Sequence, residues 1–202
     1  MSSAPAAKIA HVNLMTDTIV ANLSPDALRT VLRSMLAADD DHRHLTTTFQ
    51  DHVQKYLQND LKRATVPHLF SFSAGSTSPT PTPELTKLRK QILSLTGSGL
   101  AFESLRLLEE VVRQSHCLPF VDDDLLDILA GIDGELVQAL TAAQKIISIK
   151  GGTQRISLDE GAVLHGVERR LHSYWESCNS QGVEFPFERG LIMLTGIRTL
   201  WK

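Results

Sequence analysis

Apolar residues recur along most of the chain at intervals of three and four, the spacing that gathers them on one face of an α-helix. Leu28, Val31, Leu32, Met35 and Leu36 form the first such stripe. Ser24-Pro25-Asp26 introduces it with a capping hydroxyl, a proline at the first helical position and a carboxylate near the positive helix end. A second stripe holds Phe49, Val53, Leu57, Leu61 and Ala64. Thr47 with Gln50 three residues later predicts its start as a capping box, and the helix must end before Pro67.

Leu85, Leu88, Ile92 and Leu95 follow Thr82-Pro83-Glu84, and Gly97-Ser98-Gly99 closes that helix. Phe102, Leu105, Leu108 and Val112 carry the next. Asp122, Asp123 and Asp124 then open a long apolar run through Leu125, Leu129, Ile132, Leu136, Leu140, Ala143 and Ile147, of which Leu129, Leu136 and Leu140 are expected core positions. Gly131 and Gly134 interrupt the run, so two helices joined without a loop are predicted. After a turn at Lys150-Gly151-Gly152-Thr153, a capping box from Ser157 to Glu160 starts a stripe of Leu164, Val167, Leu171, Trp175 and Cys178. Asn179 to Gly182 ends it, and a final helix runs from Phe187 to Trp201.

No segment alternates as a strand would, and no repeat is visible. The expected fold is all-α, about eight helices in an irregular bundle. Residues 71–83 are small, polar and proline-rich, a composition that favours a spacer over a packed element. The expected division is an N-terminal helical segment (12–66), a Ser/Thr/Pro-rich linker (67–83) and a C-terminal bundle (84–202).

Composition narrows the function classes. Aromatics are 5% of residues and apolar residues 42%, a globular balance that suits helix packing. The formal charge of −3 argues against a nucleic-acid binder. Two scattered cysteines, Cys117 and Cys178, suit a reducing compartment. The first residues lack the charged and apolar regions of a secretory signal, and no run approaches a membrane span. A cytoplasmic or nuclear protein without cofactor or metal is therefore expected.

Several clusters carry chemistry on paper. Asp39, Asp40, Asp41, His42 and His44 could ligate a metal, but read more simply as a solvated loop. His116-Cys117 places a thiol beside a base, although neighbours in sequence rarely face each other, and the apolar context suggests a structural cysteine. His165, Glu168, Arg169 and His172 share a helix face suited to phosphate binding or acid–base work, or to simple solvation. Lys62, Arg63, Lys87, Arg89 and Lys90 are short basic groups. Ser78, Thr80 and Thr82 each precede a proline and are candidate phosphosites; phosphate at Thr82 would sit at a helix N-terminus.

The stretch from Leu23-Ser24-Pro25-Asp26-Ala27-Leu28 through Tyr56-Leu57 resembles N-terminal helical segments of uncharacterised proteins from filamentous fungi. That resemblance implies a eukaryotic source and transfers no activity or functional residue.

The expected function is a non-enzymatic protein-interaction role, as an adaptor or complex subunit. The expected partner is another protein or a second copy of the chain. Leu191-Ile192-Met193-Leu194 puts apolar residues around most of a helix, so one face should be covered by another chain. Phe185, Phe187, Leu191, Ile192, Met193 and Trp201 are the candidate interaction surface. The alternatives are an enzyme with a site assembled across helices from His116, Cys117, Glu168 and His172, or a weak nucleic-acid contact through Lys87, Arg89 and Lys90.

Overall fold

The computed structural model describes residues 20–38, 44–61, 66–72, 78–118, 122–150 and 156–200. The Asp39–Asp41, His42, Lys62-Arg63, Gly151–Thr153 and Trp201 readings lie outside these. The fold is all-α; the described residues hold helical residues at 20–22, seven further α-helices, a closing 3₁₀ turn and one two-stranded hairpin. In chain order they are α1 (Pro25–Ala37), α2 (His44–Leu61), β1 (Phe70–Phe72), β2 (Pro79–Pro81), α3 (Pro83–Gly97), α4 (Ala101–His116), α5 (Asp123–Lys150), α6 (Leu158–Gln181) and α7 (Glu188–Ile197). The chain divides into two compact units, residues 1–52 and 53–202.

In the first unit, α1 starts where the sequence marks it. The Ser24 hydroxyl accepts the Ala27 N–H at 3.2 Å, and Pro25 and Asp26 fill the first turn. The start of α2 differs from expectation. The helix is already formed at His44, so Thr47 and Gln50 lie inside it and not at its cap.

In the second unit, α4 packs against α3, α5 and α6, while α5 packs against α3, α4 and α7. Phe102, Leu105, Leu108, Val111 and Val112 bury one side of α4, and Leu125, Leu129, Ile132, Leu136, Leu140 and Ala143 that of α5. Leu129, Leu136 and Leu140 have no exposed surface, as their spacing required.

α5 is one helix of 28 residues, not two. Each glycine costs about 1 kcal/mol of helix propensity, far less than this unbroken stripe gains by burial. Gly131 also leaves room beside α3, where an added Cβ would lie 3.5 Å from the Arg89 guanidinium. Arg89 donates from Nε (2.8 Å) and Nη2 (2.6 Å) to Glu135 Oε1, an ion pair between α3 and α5 with Glu135 almost wholly buried.

The helix ends follow local chemistry. Asp122 Oδ1 accepts the Leu125 N–H at 2.9 Å and caps α5. Ser157 and Glu160 exchange bonds of 3.1 and 2.9 Å in a capping box at the start of α6. α6 stops at Gly182, whose φ of 65° is the left-handed conformation glycine adopts without strain.

The proline-rich stretch carries the hairpin, which no alternation in the sequence announces. β1 and β2 pair antiparallel in the register Phe70 with Pro81 and Phe72 with Pro79. Leu69, fully buried, anchors it, and the Gln114 side chain holds the approach by accepting the Leu69 N–H (2.9 Å) and donating to the Pro67 carbonyl (3.0 Å). Two prolines in one strand are tolerated because a two-stranded sheet leaves an edge without partners.

Candidate interaction surfaces

The C-terminal surface is built around a buried carboxylate. Asp133, on α5, is 2% exposed and accepts the N–H groups of Gly190 (2.8 Å) and Arg189 (3.2 Å). These are orphan donors in the first turn of α7, so α5 caps α7 through a side chain far away in sequence. Burial pushes the Asp133 carboxyl above the usual aspartate range, against the lowering effect of the two N–H groups. The contact needs Gly190, because a Cβ there would strike Leu136 and lie 2.7 Å from Asp133 Oδ1.

This seating decides what α7 can offer. Phe187, Leu194 and Ile197 are buried, while Leu191 and Met193 are half-buried against the core. Phe187 is therefore a core residue and not part of an exposed surface, because the Asp133 cap draws the start of α7 inward. Phe185 is half-buried and meets the Tyr174 ring edge-on at 5.6 Å between centroids. Ile192 is the large apolar side chain of α7 left out, 65% exposed. Trp175, expected from its spacing to be core, is also exposed; Tyr174 takes the buried place between Leu171 and Cys178. Steps of four, three and four from Val167 through Leu171 and Tyr174 to Cys178 carry that signal in the sequence.

A wider apolar stripe lies on α1. Val31, Leu32 and Met35 are 47%, 37% and 48% exposed, Leu28 and Leu36 are half-buried, and α1 has no buried residue at all. Arg29, held at 2.6 Å by Asp26, flanks the stripe, and Thr30 lies on the opposite side.

The four residues of the enzyme alternative have separate surroundings. His116 stacks on Tyr174 with ring centroids 4.9 Å apart. Cys117 is exposed, against the expectation of a buried structural cysteine, because α4 ends there; Cys178 is the buried thiol, its pKa raised by burial. Glu168 binds Arg198 at 3.1 Å and faces His165 at 3.5 Å, tying α6 to the closing turn. Among the described residues no hydrogen bond or ion pair joins His116 or Cys117 to Glu168 or His172. Nor does any group of His, Cys, Asp and Glu there have metal-binding geometry.

Of the basic group beside the hairpin, Lys90 is exposed while the other two are engaged. Lys87 pairs with Glu84 at 3.2 Å and Arg89 is turned inward to Glu135. Of the candidate phosphosites, Thr80 is exposed on β2, Ser78 is half-buried, and the Thr82 hydroxyl donates to the His68 carbonyl at 3.0 Å. Two adjoining clefts of about 470 and 240 Å³ share Leu61 and Leu107; their floors are apolar and Arg106 on the rim is already paired with Asp159.

No described helix is long and apolar enough to cross a membrane. No protein-family model, curated protein or solved structure matches this chain.

Proposed function

We propose that the chain is a non-enzymatic protein-interaction subunit that acts in the cytoplasm or nucleus and docks through its amphipathic helix α1. What supports this is one observation: Val31, Leu32 and Met35 form an apolar stripe on a helix that buries nothing. A helix of 13 residues is marginal in water unless its apolar face is covered. Covering what remains exposed of each of these side chains, a little under half, is worth about 0.6–1.5 kcal/mol before the cost of association. The occupant is an apolar groove on another protein chain, either a different protein or a second copy, read through the Leu28, Val31, Leu32 and Met35 positions.

Val31→Glu with Met35→Glu places two charges on the stripe without touching the Ser24 cap. The mass of the intact and variant chains in solution, measured by light scattering with and without crosslinking in cell extract, tests the reading. Loss of a discrete complex in the variant agrees with it. An intact chain that is monomeric and forms no complex disagrees.

A further inference from the structure

We propose that the corner where α6 turns into α7 is a docking site for an arginine side chain presented by a protein partner. A cleft of about 210 Å³ opens there, lined by Trp175, Cys178, Asn179, Glu184, Phe185 and Glu188. Its charge is one-sided. From Ser173 to Glu188 the sequence has three glutamates and neither lysine nor arginine. Glu184 and Glu188 make no ion pair among the described residues; Arg189, the next residue, is exposed and meets Asp133 through its backbone N–H.

The backbone does not oppose this field. The last turn of α6 holds no basic residue, and its Cys178 and Asn179 carbonyls accept the Val183 and Gly182 N–H groups at 3.0 and 3.4 Å. The positive end of α7 is muted, because Asp133 already accepts the Arg189 and Gly190 N–H groups.

The wall of the cleft selects among cations. Trp175 is 44% exposed and no other ring packs on its indole among the described residues. An indole face flanked by two carboxylates matches a planar guanidinium, which stacks on the ring and offers paired N–H donors to a carboxylate. The site is also held in place. Gly182 fixes the turn, Pro186 and Phe187 are buried, and the Asp133 cap locks the start of α7, so little ordering remains for the ligand to impose.

The proposal takes from the interaction reading only that a protein supplies the cation. The test uses the full chain carrying Trp201→Phe, which leaves Trp175 as the single tryptophan. Its fluorescence is titrated at low salt with a hexa-arginine peptide, a hexalysine peptide and a hexaglutamate peptide. The expected result is a saturable change with hexa-arginine, weaker binding of hexalysine and none of hexaglutamate. Glu184→Gln with Glu188→Gln should weaken hexa-arginine binding roughly tenfold, while Glu103→Gln, at a different cleft, leaves it unchanged. Calorimetric titration of Trp175→Leu gives a second reading and should lose affinity severalfold. Equal affinity in all variants, no saturable change, or tighter binding of hexalysine overturns the proposal. Met35→Glu, which disrupts the α1 stripe, should bind hexa-arginine as the parent does, so failure here and failure of the α1 reading are told apart.

Discussion

Replacing Gly190 by alanine should destabilise the fold, although alanine is the better helix former. Propensity alone favours the substitution by about 1 kcal/mol. Against this, the new Cβ would strike Leu136 Cδ2 and lie 3.0 Å from Leu136 Cγ and 2.7 Å from Asp133 Oδ1. Leu136 has no exposed surface, so it has nowhere to retreat except into its packed neighbours. Overpacking of this kind costs about 1–3 kcal/mol. An outward shift of α7 that only partly relieves the clash would also break the Gly190 N–H bond to a buried carboxylate, worth about 1.5–3 kcal/mol. The net loss is about 1.5–5 kcal/mol when both effects operate. Gly196 is an internal control on the same helix, because a Cβ there meets nothing within 4 Å. Gly196→Ala should leave stability unchanged or raise it by up to about 1 kcal/mol. Urea unfolding followed by far-UV circular dichroism measures both. A Gly190→Ala protein as stable as the parent would refute the close seating of α7 on α5.

Other substitutions separate rigid contacts from yielding ones. Gly166→Ala also creates a short contact, 2.8 Å to Glu109 Oε2, but that is the tip of a flexible side chain, so the loss in urea unfolding should stay within about 1 kcal/mol. Leu129→Ala or Leu140→Ala should each cost about 2–5 kcal/mol by the same measurement. For Asp133 the folded pKa is raised, so its contribution is fully present below the unfolded value of 3.8 and is lost as pH rises through the folded value. The stability difference between parent and Asp133→Asn should therefore move in favour of the variant as pH climbs upward from 3.8, read from urea midpoints across that range.

Helix ends and stripes are legible in the sequence because their causes are local. Ser24, Asp122 and Ser157 cap helices using groups within four residues, and the steps of three and four through Leu125 to Ile147 need no knowledge of neighbours. What stays hidden depends on distant parts of the chain. Nothing beside Asp133 in the sequence marks it as a cap, because the Arg189 and Gly190 N–H groups it accepts lie 56 and 57 residues further on. Gly131 and Gly134 look like a break, yet continuous burial of the surrounding stripe carries one helix through them. The hairpin at Phe70 and Pro81 is masked by its prolines, and the approach to it through its anchor Leu69 is held by Gln114 on α4. The apolar run in α7 suggests a broad exposed surface, but its seating on α5 leaves Ile192 outside and draws Phe187, Leu194 and Ile197 in. On α1 the sequence shows the stripe but not that Val31, Leu32 and Met35 stay 37–48% exposed.

The α1 stripe is the centre of the functional reading, and site-specific photo-crosslinking addresses it most directly. A photoreactive residue in place of Leu32 lies on the stripe; the same group in place of Thr30 lies on the opposite side of α1. After irradiation in the cell, the account predicts one discrete adduct of higher mass from position 32, identified by mass spectrometry as a second copy or one other protein. It should be absent from position 30 and lost when Val31→Glu is added. No adduct from position 32, or the same adducts from both positions, would contradict the claim that α1 is an interaction surface.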